Sequence, residues 1–248
     1  MLHTLPAVAG PGDAVRDILV ATPPGYGRST ARYPVVYLQD GQNLFDPDTA
    51  YAGEWGLRDT LAARGRRHPA LLVGIPNLGP DRLREYSPFD DPVRGPGEAV
   101  AYLQWIIRVV KPLVDGTFRT LPARRHTAVA GSSMGGLFAL YALLAGAATF
   151  GAAWSLSPAL WYGDEAIFRW LRRQPGPVGT IYLDVGQQEG DDALFDVRRM
   201  RDLLLDRGWT LGGTLSYRED PDGEHNEAAW GRRIREEWSR LVAPLGAP

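Results

Sequence analysis

Residues 127–137 read TAVAGSSMGGL, and this run gives the clearest structural signal in the chain. Thr127 to Ala130 is predicted to be a short buried strand, and Met134 to Leu144 a strongly apolar helix. Between them lies Gly131-x-Ser133-x-Gly135, which is typical of a sharp strand-to-helix turn that lifts a serine hydroxyl above a sheet. The helix N-terminus favours negative charge at that position. We therefore predict that Ser133 is a nucleophile.

Two serines are adjacent in this turn, and the spacing of small residues distinguishes them. Ser133 has Gly131 and Gly135 two positions away on each side, where a side chain would clash with the strand or the helix. Ser132 would instead have Ala130 and the bulky Met134 at those positions. A Gly/Ser-rich connection without a catalytic role is the alternative interpretation of the same residues.

Around this turn, short apolar runs alternate with helical patterns. The predicted strands are Val15–Ala21, Val35–Leu38, Ala70–Ile75, Thr127–Ala130, Ile181–Val185 and Leu215–Arg218. The predicted helices are Leu57–Arg64, Ala99–Val114, Met134–Leu144, Leu194–Arg207 and Ala228–Leu241. Residues 81–97, rich in Pro, Asp and Arg, are predicted to form a long surface loop. The alternation predicts an α/β fold of the α/β-hydrolase type, with helices on both faces of a mostly parallel sheet, as a single domain over residues 1–248.

Composition excludes several classes of site. The 248 residues include no cysteine, which excludes disulfides, thiolate catalysis and zinc–thiolate sites. The formal net charge of -2 argues against general affinity for nucleic acid or anionic membrane. Met1–Gly10 lacks the features of a signal peptide, and no apolar run is long enough for a membrane span. We expect a cytoplasmic protein that needs no metal or organic cofactor.

A serine hydroxyl needs a base, and in this fold class the order along the chain is serine, acid, histidine. Of the four histidines only His225 follows Ser133, in a polar loop after a predicted late strand. His3 is expected at a mobile N-terminus, and His68 and His126 are expected to be surface or structural residues.

The acid is expected in the segment that follows the predicted strand Ile181–Val185. Glu189 is the first choice there, since it lies three residues past Gly186, and it would hold the imidazole of His225 in one tautomer. Asp184 lies inside the strand and remains an alternative. Asp191 and Asp192 are competitors that could equally cap the next helix.

Two backbone N–H groups are candidates for an oxyanion hole, one on Met134 after the nucleophile and one on Gln42. Gly41, beside Gln42, would permit a close backbone approach; Asp40-Gly41 could also be a simple turn. Arg82, Arg84 and Trp161 are predicted to bind an aromatic or anionic acyl group by stacking and charge pairing. The aromatic residues near this predicted rim could instead belong to the core.

Beyond these local patterns, the sequence resembles an esterase family of α/β hydrolases that includes enterochelin esterases, esterase D-type enzymes, feruloyl esterase domains and mycolyltransferases. The segments that carry the resemblance are Pro23–Tyr26, Tyr33–Gln42, Arg84–Pro88, Gly131–Leu137, Ser157–Trp161 and His225–Trp230. Asp40-Gly41 is more similar to the siderophore-esterase branch than to esterase D, where His-Gly is usual. The resemblance implies serine ester hydrolysis by Ser133 and His225 with Asp or Glu as the acid, although some relatives work with a Ser–His pair.

The sequence therefore predicts a carboxylic ester hydrolase that acts on a small molecule through an acyl-enzyme. An acyltransferase on the same triad and a non-catalytic binding protein on a hydrolase scaffold are the rival hypotheses. A trilactone siderophore, a feruloyl or acetyl sugar and a simple acyl ester all fit as substrates, and the patterns leave the oligomeric state open.

Overall fold

The apolar runs of the sequence form one eight-stranded sheet in the computed structural model, which describes residues 1–246. The strands are β1 (Leu2–Ala9), β2 (Val15–Ala21), β3 (Val35–Gln39), β4 (Leu71–Ile75), β5 (Thr127–Ser132), β6 (Ala152–Leu156), β7 (Thr180–Gly186) and β8 (Leu215–Asp220). Their order in the sheet is β1-β2-β4-β3-β5-β6-β7-β8. The pairs β1–β2 and β2–β4 are antiparallel and all others are parallel, which confirms the predicted fold class.

Helices connect the strands and cover the sheet. They are α1 (Leu57–Arg64), α2 (Arg82–Tyr86), α3 (Ala99–Trp105), α4 (Lys111–Thr117), α5 (Met134–Ala145), α6 (Tyr162–Leu171), α7 (Asp191–Asp206) and α8 (Glu227–Gly246). A π-helical segment, Ile106–Val110, joins α3 to α4. Within residues 1–246, no helix combines the length and the apolar character needed to cross a bilayer.

Side chains alternate between two cores because successive residues of a strand point to opposite faces. In β3, Val35 and Tyr37 belong to one core, while Val36 and Leu38 belong to the other. All five residues of β3 are buried. The central strands are therefore covered on both faces, which explains why their sequences are continuous apolar runs.

Four elements were not predicted. One is α2 (Arg82–Tyr86), which lies within residues 81–97, where a long surface loop was expected, and buries Glu85 and Tyr86. β1 contains Pro6 and lies at the edge of the sheet with a register shift between Leu5 and Val8, where a proline is tolerated. His3, expected at a mobile terminus, therefore lies in β1 opposite Val20. β6 reads AAWSL, which lacks the β-branched residues of its neighbours. α6 begins with left-handed residues at positions 163–165, which obscures its periodicity.

Parallel pairing places the functional segments at one edge. β3, β5, β7 and β8 run in the same direction, so the segments after their carboxyl ends lie along a common edge of the sheet. Those segments carry Asp40, Ser133, Glu189 and His225 respectively.

Candidate active site

Ser133 lies at the turn between β5 and α5 in a strained backbone conformation. Its φ and ψ angles are 55° and −120°, a region that non-glycine residues rarely adopt. The backbone holds it there from both sides. Its N–H donates to the Leu156 carbonyl at 2.9 Å, and its own carbonyl accepts from the Ala159 N–H at 2.9 Å. The segment 156–159 therefore fixes the position of Ser133.

The glycines around Ser133 are required by close backbone contacts. A Cβ atom on Gly131 would lie 2.6 Å from the carbonyl carbon of Gly135, and one on Gly135 would lie 3.0 Å from Gln39 Cβ. Ser132 is 2% exposed, whereas Ser133 is partly accessible. The spacing of the glycines and the burial of Ser132 therefore both favour Ser133 as the accessible serine.

The structure brings His225 and Glu189 into direct contact. Nδ1 of His225 lies 2.7 Å from Oε2 of Glu189, although the two residues are 36 positions apart. The side chain of Glu189 is 1% exposed, and its Oε1 accepts from the Gly186 N–H at 2.7 Å. Burial alone would raise the pKa of Glu189, but hydrogen bonds from His225, Ser157 and Gly186 outweigh it and lower the pKa below 4.5. The surroundings of Glu189 therefore favour its ionised form.

The three other carboxylates considered as the acid have different surroundings from Glu189. Asp191 and Asp192 are exposed in the first turn of α7. Asp184 is fully buried and accepts hydrogen bonds from the Tyr182 hydroxyl at 2.7 Å and the Ser157 N–H at 3.1 Å. Burial outweighs the nearby Arg233 charge and raises the pKa of Asp184 to about 6. None of these three contacts His225 by a hydrogen bond, within the part of the chain that the structure describes.

A buried network behind Glu189 was not predicted. The Ser157 hydroxyl donates to Glu189 Oε1 at 2.6 Å and accepts from Trp230 Nε1 at 3.0 Å and Arg233 Nη2 at 2.9 Å. Arg233 is fully buried, and its Nη1 lies 3.1 Å from Asp184 Oδ1. Ser157 has a positive φ of 42°. The sequence held one indication that Arg233 is buried. Arg233 lies three residues after Trp230, on the same face of the helix, and next to the buried Ile234.

The predicted oxyanion segment forms a tight turn after β3. Gly41–Asn43 is a 3₁₀ turn preceded by Asp40, whose φ is 56°. Gly41 is needed because a Cβ there would lie 2.6–2.7 Å from backbone atoms of residues 74–76. The close backbone approach that Gly41 permits is thus to the end of β4 and to Pro76. Gln42 lies at the cavity, and its Oε1 accepts from the Asn77 N–H at 3.2 Å.

An ion pair stabilises this turn. Arg82 donates to both carboxylate oxygens of Asp40, at 2.7 and 2.8 Å, and Asn77 Nδ2 donates to Asp40 at 2.7 Å. The helix α2 that carries Arg82 is attached to β2 by a second buried pair, Arg16–Glu85 at 2.6 Å. Two-point contact of this kind fixes the orientation of a guanidinium as well as its position.

Ser133 and His225 line one cavity of about 750 Å³. This volume is in the range of small-molecule sites. The lining also includes Gln42, Asn43, Tyr51, Trp55, Arg82, Glu227 and Trp230. Of the predicted substrate-binding residues, only Arg82 lies there. Arg84 pairs with Glu98, and Trp161 is 53% exposed against Arg94, so the structure does not bring these two to the cavity. Within residues 1–246, no group of three His, Asp or Glu side chains could hold a metal ion.

Comparisons with known proteins identify the family of the chain. A model of the family described as "Putative esterase" matches residues 13–241. The protein YbbA of Bacillus subtilis (strain 168), described as uncharacterized, is 24% identical over 208 residues, 79% of this chain and 80% of that protein. A siderophore enterobactin esterase of Emericella nidulans is 29% identical over 160 residues, 56% of this chain and 50% of that protein.

A solved structure shows that the fold is shared with a known hydrolase. The siderophore hydrolase EstA from Aspergillus nidulans superposes with a TM-score of 0.76 at 24% identity, over 99% of this chain and 95% of that one. At this identity the similarity shows the fold alone. The family match, in contrast, covers most of the chain. The protein therefore belongs to the "Putative esterase" family and is a carboxylic ester hydrolase with an α/β-hydrolase fold.

Proposed function

We propose that the chain hydrolyses small-molecule carboxylic esters through an acyl-enzyme formed on Ser133, with His225 as base and Glu189 as orienting acid. One observation carries the proposal. His225 contacts Glu189 at 2.7 Å, Ser133 is strained and partly accessible, and Ser133 and His225 line the same cavity. This combination of nucleophile, imidazole and buried carboxylate is typical of serine hydrolases.

The first chemical step follows from the tautomer that Glu189 selects. Because an ionised carboxylate only accepts hydrogen bonds, the Nδ1 of His225 carries the proton and Nε2 is left as the acceptor. Nε2 takes the Ser133 proton as the serine oxygen bonds to the ester carbonyl carbon. The same proton then passes to the alcohol oxygen as its bond to the carbonyl carbon breaks. Water repeats these steps on the acyl-enzyme and releases the carboxylic acid.

The negative charge that develops on the carbonyl oxygen requires donors. The Met134 N–H at the start of α5 and the Gln42 N–H in the turn after β3 are the proposed pair. The helix N-terminus supports this choice because its dipole favours an anion. The bond network of Asp40 supports it as well, since it holds the turn that carries Gln42.

Adjacent serines provide a matched test of the nucleophile. Ser133→Ala should lower kcat for 4-nitrophenyl acetate by at least about 10³-fold, because the covalent step is lost. Ser132→Ala changes the same chemical group one residue away and should retain most of the activity. Equal activity in both variants, or a larger loss in Ser132→Ala, would contradict the proposal.

The names of the relatives suggest which esters to compare first. One relative is a siderophore enterobactin esterase and one structural neighbour is a siderophore hydrolase. A hydrolysis screen across a trilactone siderophore, a feruloyl or acetyl sugar and a simple acyl ester should give the highest kcat/KM for one class. Loss of all three activities in Ser133→Ala would assign them to the same site.

A further inference from the structure

The cavity carries a negative charge that its arginine does not neutralise. Arg82 is the only arginine or lysine among the cavity-lining residues within 1–246, and both its hydrogen bonds into the site go to Asp40. This pairing changes the expectation that Arg82 binds an anionic acyl group. A guanidinium already held at two points by a carboxylate has little attraction left for a second anion.

Glu227 is the carboxylate without a cationic partner. It begins α8, lines the cavity, and accepts a hydrogen bond from Asn43 Nδ2 at 3.2 Å. Among the described residues no arginine, lysine or histidine lies within ion-pair distance of it. Burial and the nearby Asp40 carboxylate raise the pKa of Glu227, and they outweigh a backbone hydrogen bond and the charges of Arg82 and His225, which lower it. A cation placed beside Glu227 would therefore be stabilised.

Aromatic side chains form part of the lining of the same space, and two of them, Trp55 and Trp230, are largely buried beside it. Tyr51, Trp55 and Trp230 line the cavity, and the centroids of the two tryptophan rings are 5.9 Å apart. Tyr51 is 94% exposed and lies on the segment 46–54, which contains three carboxylates and no arginine or lysine. Aromatic faces beside a carboxylate attract alkylammonium groups, because ring quadrupole and ionic charge act in the same direction.

The position of His225 indicates which part of the ester meets this surface. His225 returns its proton to the leaving alcohol, so the alcohol lies on the His225 side of Ser133. Glu227 is two residues beyond His225, and the Trp230 ring contacts the His225 ring edge-on at 5.0 Å. The carboxylate and aromatic surface therefore lie on the alcohol side of the site.

We propose that Glu227, with Tyr51, Trp55 and Trp230, makes the enzyme selective for esters whose alcohol carries an ammonium group. This inference rests on the proposed function, because it assigns the leaving-group side from the role of His225. It predicts discrimination against alcohols that carry a carboxylate or sulfonate.

Isosteric esters test the charge alone. Butyrylcholine and 3,3-dimethylbutyl butyrate have the same shape and differ by one positive charge, and 3-sulfopropyl butyrate provides the anionic case. We expect kcat/KM of the cationic ester to exceed that of its neutral isostere by about tenfold at low salt. In Glu227→Gln the ratio should fall to near one. Glu236→Gln removes one charge from an exposed site on the same helix and should keep the wild-type ratio.

A second measurement needs no variant. Tetramethylammonium should competitively inhibit hydrolysis of 4-nitrophenyl butyrate by the wild-type protein, whereas methanesulfonate at equal ionic strength should not. A wild-type ratio near one, a ratio that persists in Glu227→Gln, or equal inhibition by both ions overturns the ammonium proposal while the ester chemistry stands. If 4-nitrophenyl butyrate is not hydrolysed in a Ser133-dependent manner, the proposed function fails, and the substrate assignment falls with it.

Discussion

Removal of the Ser157 hydroxyl tests whether the buried network positions the triad. In Ser157→Ala, Trp230 Nε1 loses its acceptor, which costs about 1–3 kcal/mol for a buried donor. Arg233 Nη2 also loses the hydroxyl as an acceptor but keeps a longer contact of 3.4 Å with Glu189 Oε1. Glu189 loses a charged hydrogen bond of 2.6 Å, about 1.5–3 kcal/mol, but keeps those from Gly186 and His225. Since these three hydrogen bonds share one hydroxyl and their energies are not additive, we expect a net loss of about 3 kcal/mol and a Tm lower by about 10 °C.

The catalytic effect should be separable from this loss of stability. A loosened Glu189 allows the His225 ring to move, so kcat for 4-nitrophenyl acetate should fall by about 10–100-fold with little change in KM. The hydrogen bond from Ser157 lowers the pKa of Glu189, so its removal raises that pKa. The part of the activity loss that comes from protonation of Glu189 should therefore begin at higher pH than in the wild type. Steady-state kinetics from pH 4.5 to 9 measure both effects.

Ser157→Gly provides the matched control. It also lacks the hydroxyl, but glycine adopts the φ of 42° without strain, so its Tm should be higher than that of Ser157→Ala. The two variants should nevertheless share the same kcat. If kcat follows Tm across the pair, or if Ser157→Ala keeps wild-type kcat and pH profile, Ser157 does not position the triad.

Three further predictions concern neighbouring residues. Glu189→Gln should lower kcat by about 10³-fold or more in ester hydrolysis assays, because a neutral amide no longer holds the tautomer or stabilises the imidazolium; wild-type kcat would contradict this. Asp184 binds its proton more tightly in the folded state, with a pKa of about 6 against 3.8, so wild-type stability should fall relative to Asp184→Asn as pH rises from 4 to 6. A calorimetric Tm difference that is constant over that range would refute it. Gly41→Ala should lower both Tm and kcat, since its Cβ would force the turn away from β4.

The strands and helices that carry strong periodicity could be predicted from sequence. β3 and β4 are largely continuous apolar runs because both faces are buried, and the Gly131-x-Ser133-x-Gly135 spacing predicted the sharp turn between β5 and α5. The edge strand β1 was missed because its proline and polar residues are tolerated only where one side lacks a partner strand.

The site could be predicted only in part. Ser133 and His225 follow from local spacing and chain order, and Glu189 from its place after β7. The contacts of Ser157 and Arg233 join residues far apart in the chain, so no local pattern reports them. The prediction that Arg82 binds an anionic acyl group rested on its charge, because the sequence shows the arginine but not its pairing with Asp40. Arg84 and Trp161 were also predicted to bind substrate, but they do not line the cavity.

Covalent labelling tests directly whether Ser133 is the nucleophile. The protein is incubated with a fluorophosphonate at pH 8, digested, and the adduct is located by peptide mass spectrometry. We expect a single phosphonylated serine, Ser133. Its rate of labelling should fall in His225→Ala while the fold is retained. An adduct on Ser132, or an unlabelled Ser133 in a preparation that hydrolyses esters, would contradict it.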